Sequence, residues 1–272
     1  MMGSENIGRL LWNFSLPAIV GMVVNALYNI VARIFVGRGV GSLGLAAVAV
    51  ALPVMTIIMG LSILIGVGAT ALISIRLGER KKDQAELVAG NAMVMLVLLP
   101  AAFAVLFFAF SEPILTALGS SAAVLPYARD YLSIIIAGAF ISSFSMGANN
   151  FIRAEGNPRM SMYTQILGGL VNVVLNYVFI FKFGWGIKGS AFASVIAQAV
   201  AAIWVLSYFL SGRSLVKIYL KNLVPKLPIV GSIMAIGFAP SALQLATSVQ
   251  QVILNKTLME YGGDIALPPS GS

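Results

Sequence analysis

Seven long stretches of the sequence contain no charged residue, and this pattern determines the solvent in which the chain folds. The stretches are residues 10–32, 39–75, 87–111, 131–152, 160–181, 189–212 and 227–255. A bilayer core about 30 Å thick is crossed by about 20 apolar residues in a helix. Because backbone groups in lipid must be paired internally, such spans are helical. The sequence therefore predicts an all-α membrane protein with seven transmembrane helices.

Composition and charge support a membrane location. Only 10% of the residues are charged, although the net charge is +8, whereas soluble domains have about 25% charged residues. The basic residues lie between the stretches, and cytoplasmic loops are typically richer in Lys and Arg. Eleven lie at one set of ends: Arg9, Arg76, Arg80, Lys81, Lys82, Arg153, Arg159, Arg213, Lys217, Lys221 and Lys226. Six lie at the other: Arg33, Arg38, Arg129, Lys182, Lys188 and Lys256. We expect a multi-pass protein of the cell inner membrane with a cytoplasmic N-terminus and no nucleic-acid partner.

The sequence contains no cysteine and no histidine. This excludes disulfides, thiolate catalysis, histidine acid–base chemistry and the usual zinc ligands. We expect neither an enzyme nor a bound cofactor, and no firm metal site. A seven-helix retinal protein is disfavoured, because Lys256 lies at the very end of its stretch and no acid lies within any of the seven stretches.

A faint internal repeat relates the two ends of the chain. Aligning Pro17 with Pro240 places Gly39 on Gly262 without a gap. A repeat of six spans predicts two six-helix halves related by an axis along the membrane normal, as in some transporters. We expect three parts in the chain: a six-helix lobe at 1–222, the first helix of a truncated second lobe at 223–266, and a linker-like tail at 267–272.

Several segments resemble the multidrug and toxic compound extrusion (MATE) transporters. They are LYNIVARIFVGRGVG (27–41), RAEGNPR (153–159), NVVLNYVFIF (172–181), GIKGSAFASVIAQ (186–198), and GFAPSALQ with NKTLMEYGGD in the last stretch. The resemblance implies a two-lobe (6+6) fold of which this chain holds the N-terminal lobe and the helix that opens the second lobe. It also implies cation-coupled antiport, in which sodium or protons enter as drugs or organic cations leave by alternating access. The expected partners are the lipid bilayer, small organic cations or drugs, and a second lobe.

Three positions depart from the pattern of that family. Ala32 stands where the family typically has an aspartate thought to take part in ion coupling, Asn176 replaces a second carboxylate, and Ser194 replaces a threonine. All nine acids lie outside the uncharged stretches, although a membrane-embedded carboxylate is the natural proton carrier. We therefore expect coupling to be incomplete or absent in the chain as written.

The remaining polar residues recur at helical spacing, so that each set shares one face of its helix. The expected cation or substrate cavity is lined by Asn25, Tyr28, Asn29, Ala32, Asn172, Asn176, Ser194, Gln198, Gln251 and Asn255. The alternative is that single residues of these stripes only join helices, through hydrogen bonds averaging ~0.6 kcal/mol.

Two other interpretations remain open at this point. One is a lipid-linked oligosaccharide flippase of a related class, which would need a strongly cationic cavity, although no Arg or Lys lies deep in a span. The other is an inactive membrane scaffold fragment.

Residues 213–226 alternate basic and apolar side chains. This pattern predicts an interfacial helix with its lysines towards lipid headgroups.

Overall fold

The computed structural model describes residues 7–118 and 120–262, and every regular element in this part of the chain is a helix. The helices are α1 (Ile7–Gly39), α2 (Ser42–Gly78), α3 (Lys82–Ala109), α4 (Ser111–Ala117), α5 (Leu125–Ala137), α6 (Ala139–Ala154), α7 (Pro158–Tyr177), α8 (Gly186–Leu210) and α9 (Leu227–Gly262). The π-helical turn Val178–Lys182 continues α7. The predicted all-α fold is confirmed, whereas the predicted tail at 267–272 lies outside the described residues.

Six of these helices are long and apolar enough to cross a membrane, and the pair α5 and α6 forms a seventh span if it is counted as one. The pair bends by 52° at Gly138. The predicted count of seven therefore holds with this bent span included. The sequence does not indicate the break at Gly138, because the uncharged stretch 131–152 runs through it without interruption.

The short connections define the two faces of the bundle. We call the face that carries residues 79–81, 155–157 and 211–226 the linker face, and residues 211–226 the linker segment. The opposite face carries residues 40–41, 110–118, 120–124 and 183–185. Each span runs from one face to the other, so neighbouring spans alternate in direction.

The prediction of an interfacial helix at 213–226 is wrong. The linker segment is irregular apart from one 3₁₀ turn, Leu220–Leu223. Side chains of other elements accept hydrogen bonds from its backbone N–H groups in place of helical carbonyls. Glu155 accepts from Leu215 and Val216, and Glu86 accepts from Lys217 at 3.2 Å. Tertiary acceptors therefore override the helical spacing of the sequence.

Glu155 is the main anchor of the linker segment. Its carboxylate also accepts hydrogen bonds from the Ser214 hydroxyl and from Tyr208 Oη. Burial raises the pKa of the Glu155 carboxyl above its ordinary value, and these donors partly offset that effect by stabilising the charged form. In the loop 79–81, by contrast, Lys81 and Arg76 lower the pKa of the exposed Glu79. The buried carboxylate thus serves to hold the chain that leads into α9.

The core of the bundle forms around α2, which packs against α1, α3, α5, α6 and α9. Its buried face is built from small residues, among them Ala46, Ala47, Val50 and Ala51, each at most 1% exposed. Small side chains allow helix backbones to approach closely, which is the main source of packing energy between helices in lipid. The position of α2 therefore decides where the other spans lie.

A polar stripe on α9 pairs with the backbone of α2. Pro53 lies within α2 and has no N–H to give to the carbonyl of Ala49. The Asn255 side-chain amide donates to that carbonyl at 3.2 Å, and the Ser248 hydroxyl donates to the Pro53 carbonyl at 2.9 Å. Gln251 accepts a hydrogen bond from Thr56 at 3.1 Å. The α9 stripe thus satisfies the carbonyl freed by the proline.

Nearer the linker face, α2 and α9 touch through glycines. A Cβ atom on Gly237 would overlap the Leu64 carbonyl oxygen, and one on Gly68 would overlap the Ile233 carbonyl oxygen. Both helices are therefore in backbone contact at this crossing, and neither position has room for a side chain.

This contact predicts a contrast between two glycines of α9. Gly237→Ala should destabilise the bundle by about 1–3 kcal/mol, because the helices must move apart to admit the methyl group. Gly231 has no atom within 4 Å of a Cβ position, so Gly231→Ala should be neutral or stabilising by up to about 1 kcal/mol, since alanine favours the helix. Thermal unfolding of both variants in detergent measures the difference. Equal melting temperatures would contradict the close crossing.

Candidate functional site

Three polar side chains meet in the interface between α7 and α8. Asn172 donates to the Ser194 hydroxyl at 3.3 Å, and Asn176 donates to the Asn172 side-chain oxygen at 3.0 Å. Ser194 in turn donates to the carbonyl of Ser190 one turn earlier, at 3.0 Å. Asn172 is 4% exposed and Asn176 0% exposed. The predicted pairing of Asn172 and Asn176 with Ser194 is therefore present as one hydrogen-bonded chain of groups.

This chain of groups ends in an acceptor that nothing nearby satisfies. The side-chain oxygen of Asn176 is buried and has no hydrogen-bond partner among the described residues. An unpaired buried acceptor costs about 1–3 kcal/mol, and an amide oxygen is a good ligand for a hard cation or an acceptor for a bound water. The Asn176 oxygen therefore has the chemistry of a ligand for one water molecule or one small cation. Across residues 7–118 and 120–262, no group of three or more His, Cys, Asp or Glu side chains could hold a metal ion.

Helix α1 packs along α7 in parallel and brings Ala32 to the level of these asparagines. Gly169 of α7 lies against Tyr28, at 3.2 Å from a Cβ position on the glycine. Two turns further on, Phe35 meets Tyr177 with ring centroids 6.3 Å apart. Ala32 is half-buried and lies between these two contacts along α1. By register, position 32 faces the part of α7 that carries Asn172 and Asn176.

Asn25 and Asn29 lie on the exposed side of α1. Asn29 donates to the Asn25 backbone and side-chain oxygens at 2.8 and 3.1 Å, and Asn25 donates to Tyr28 Oη at 3.2 Å. The three predicted residues thus form a small polar patch among exposed apolar neighbours such as Leu27 and Ile30. Their hydrogen bonds stay within α1, so the patch retains donors and acceptors for a further partner.

The other candidate residues lie apart from this group. Gln251 and Asn255 contact α2, as described above, and take no part in the α7–α8 cluster. Gln198 is half-buried on α8, one turn after Ser194. The structure thus divides the predicted cavity wall into an α1–α7–α8 group and an α2–α9 group.

A polar cluster that is absent from the sequence prediction lies nearer the linker face. The Arg153 guanidinium donates to the Ser161 hydroxyl at 2.8 Å. When the Gln165 amide is oriented to pair both of its atoms, it donates to the Gly21 carbonyl at 3.0 Å and accepts from Arg153 at 2.6 Å. The cluster joins α6, α7 and α1. Helical spacing carries a signal for it, because Gln165 lies on the same helical face as Asn172 and Asn176.

Comparison with known proteins identifies this architecture. The MatE family model matches residues 17–178, more than half of the chain. The chain is 28% identical to the multidrug export protein MepA of Staphylococcus aureus, over 93% of this chain and 56% of that protein. It thus spans about half the length of the curated relatives it matches.

Solved structures agree. The MATE multidrug transporter DinF-BH, determined in complex with a ligand, is 35% identical and superimposes with a TM-score of 0.93 over 98% of this chain and 60% of its own. An outward-facing multidrug resistance MATE transporter of the MOP superfamily is 28% identical, with a TM-score of 0.85 over 95% of this chain and 57% of its own.

These matches confirm the predicted family and the predicted multi-pass membrane location. They also confirm the prediction that the protein is not an enzyme, because MATE transporters are not enzymes. The chain belongs to the MATE family of transporters.

Proposed function

We propose that this chain forms one lobe of a cation-coupled antiporter that exports drugs and organic cations by alternating access. The observation that carries the proposal is the buried Asn176 oxygen at the end of the α7–α8 cluster, which lacks a hydrogen-bond partner among the described residues. Buried side-chain oxygens of Thr70, Ser120 and Asn149 also lack one, but they lie outside this cluster. Family membership supports drug efflux as the activity. MepA is named as a multidrug export protein and DinF-BH as a multidrug transporter, which supports drugs as the substrates here.

A second lobe completes the transport path in this proposal. The chain spans 56% of MepA and 60% of DinF-BH, and the six-helix lobe at 1–222 and the opening helix at 223–266 fit that proportion. Asn25 and Asn29 support the same arrangement. Amide groups on an exposed helix face are unfavourable against lipid, so this face borders a solvated cavity between the lobes.

The coupling ion in this proposal is a proton or sodium. No Asp or Glu lies within the uncharged stretches, so no carboxylate is available there to change its charge during the cycle. The amide and hydroxyl oxygens of Asn172, Asn176 and Ser194 can hold a cation weakly. A ligand drives switching only by binding the two states with different affinities. The methyl group of Ala32 binds neither a proton nor a metal cation, so Ala32 contributes nothing to coupling.

We further propose that the linker face is cytoplasmic and that the membrane is the cell inner membrane. Among the basic residues whose side chains the structure describes, ten lie at or near the linker face: Arg76, Arg80, Lys81, Lys82, Arg153, Arg159, Arg213, Lys217, Lys221 and Lys226. Five lie nearer the opposite face: Arg33, Arg38, Arg129, Lys182 and Lys188. The imbalance matches the excess of positive charge in cytoplasmic loops.

Cysteine labelling tests the orientation, since the native chain has no cysteine. Lys82→Cys and Lys221→Cys should be shielded from an impermeant thiol reagent in intact cells. Ala122→Cys and Phe183→Cys, on the opposite face, should react. All four should react after the cells are permeabilised, which controls for accessibility. The reverse pattern would place the linker face outside.

The cavity proposal predicts the effect of removing the buried amide. In the complete two-lobe protein, Asn176→Leu should lower gradient-driven efflux of a fluorescent organic cation such as ethidium at least tenfold, because leucine fills the site but offers no oxygen to a cation. The substitution also leaves the buried Asn172 side-chain oxygen without the Asn176 donor, at a cost of about 1–3 kcal/mol. Thermal unfolding in detergent is therefore measured alongside efflux to establish that the variant folds. Val174→Leu, on the exposed side of α7, is the matched control. Wild-type efflux by Asn176→Leu would assign the cluster to helix packing alone.

The coupling proposal predicts a gain of function at position 32. Ala32→Asp should introduce pH-dependent efflux, because a carboxylate beside Asn172 and Asn176 can take up and release a proton. Ethidium transport is measured in membrane vesicles under an imposed proton or sodium gradient, for both versions. Ala32→Asn is the control, because asparagine has nearly the shape of aspartate but no titratable proton. Equal gradient-driven transport by all three proteins would show that a carboxylate at position 32 takes no part in coupling.

A further inference from the structure

The linker segment has two different sides. Its inward side chains are pinned to the bundle: Ser214 and Val216 are buried, and Asn222 is 8% exposed. Its outward side carries exposed cations and exposed apolar side chains in alternation. The cations are Arg213, Lys217, Lys221 and Lys226, and the apolar residues are Leu215, Tyr219, Leu220 and Val224.

The position of the segment along α3 shows which part of the membrane it meets. The Gly90 backbone is so close to the Asn222 carbonyl that a Cβ on Gly90 would overlap it, and Asn91 donates to the same carbonyl at 3.0 Å. Gly90 lies eight residues beyond Lys82, the start of α3, or about 12 Å along the helix. The uncharged part of α3 begins at Leu87. The segment therefore lies at the boundary between headgroups and hydrocarbon rather than at the tip of the bundle.

Three acids at or near the linker face, Glu155, Glu86 and Glu79, already have partners. Glu155 accepts hydrogen bonds from the segment itself, and Glu86 accepts from the Lys217 backbone and lies 3.9 Å from Lys82 Nζ. Glu79 pairs with Arg76 and Lys81. Within the part of the chain that the structure describes, none of the four segment cations lies within 4.0 Å of a carboxylate. The outward side is therefore a cationic surface that lacks its anion.

We propose that the linker segment is a binding site for anionic phospholipid headgroups. Its four cations bind the lipid phosphates, while Leu220, 86% exposed, and Val224, 66% exposed, enter the acyl layer. The apolar side chains at this depth favour a bilayer over a soluble phosphate compound. Lys221 Nζ is already held 5.4 Å from the Tyr219 ring centroid, and the pinned backbone removes part of the ordering cost of binding.

Lipid-selective quenching tests this site. The purified chain carrying Leu220→Cys is labelled with an environment-sensitive fluorophore and reconstituted in phosphatidylcholine vesicles that contain phosphatidylglycerol. Equal amounts of spin-labelled phosphatidylglycerol or spin-labelled phosphatidylcholine are then added. Quenching by the anionic lipid should exceed that by the zwitterionic lipid by about twofold or more, because each cation near an anionic surface contributes on the order of fivefold in partitioning. Val224→Cys provides a second probe position if labelling at position 220 perturbs the fold.

Matched controls separate the site from general membrane contact. The preference should disappear in Lys217→Gln/Lys221→Gln/Lys226→Gln and weaken at high ionic strength. It should persist in Arg38→Gln/Lys182→Gln, which removes two cations near the opposite face. A label at Val105→Cys, exposed on α3 away from the linker face, should be quenched equally by both lipids.

Equal quenching at position 220, quenching by neither lipid, or a preference unchanged by the triple substitution would each overturn the proposal. The measurement needs no substrate, gradient or second lobe, so its outcome is independent of the proposed transport activity.

Discussion

The constraint on which the structure depends is that lipid offers no hydrogen bond to a polar group. Each backbone N–H, carbonyl and amide in a span must therefore find its partner inside the protein. The proline in α2 shows the consequence, because the carbonyl of Ala49 loses its helical donor and receives Asn255 of α9 instead. The Asn255 side chain thereby fixes how α9 packs on α2, together with the close contact between Gly237 and the Leu64 carbonyl.

The two stripes of polar residues within the spans differ in whether their buried groups all find partners. The hydrogen bonds of the α2–α9 stripe join two helices, and packing explains why these residues are polar. The Asn172–Asn176–Ser194 cluster is different, because it ends in a buried oxygen that no described residue satisfies. In the function proposed above, this acceptor is where a cation or a water binds and is released during transport. This contrast separates two stripes that have the same appearance in the sequence.

Two acids near the linker face, one buried and one partly buried, extend the same logic to that face. Glu155 and Glu86 lie where a charge would be costly without partners, and both hold backbone N–H groups of the linker segment. Their inward use leaves the lysines of that segment without carboxylates. The anchoring of the connection between α8 and α9 and the cationic surface presented to the membrane thus have one electrostatic origin.

The sequence by itself determined the membrane fold, because uncharged stretches of this length have no alternative to spanning helices. It also determined the family, through several sequence segments that occur in the same order as in the family. It also identified Asn172, Asn176 and Ser194 as neighbours, since helical spacing puts the two asparagines on one face and the family resemblance puts Ser194 opposite them. Only the tertiary structure decided that Gln251 and Asn255 contact α2, that the span at 131–152 bends at Gly138, and that residues 213–226 are not helical. Spacing reports which residues share a face, but not which partner that face meets. That choice depends on close backbone contacts and on acceptors such as the Ala49 carbonyl and the Glu155 carboxylate, which come from distant parts of the chain.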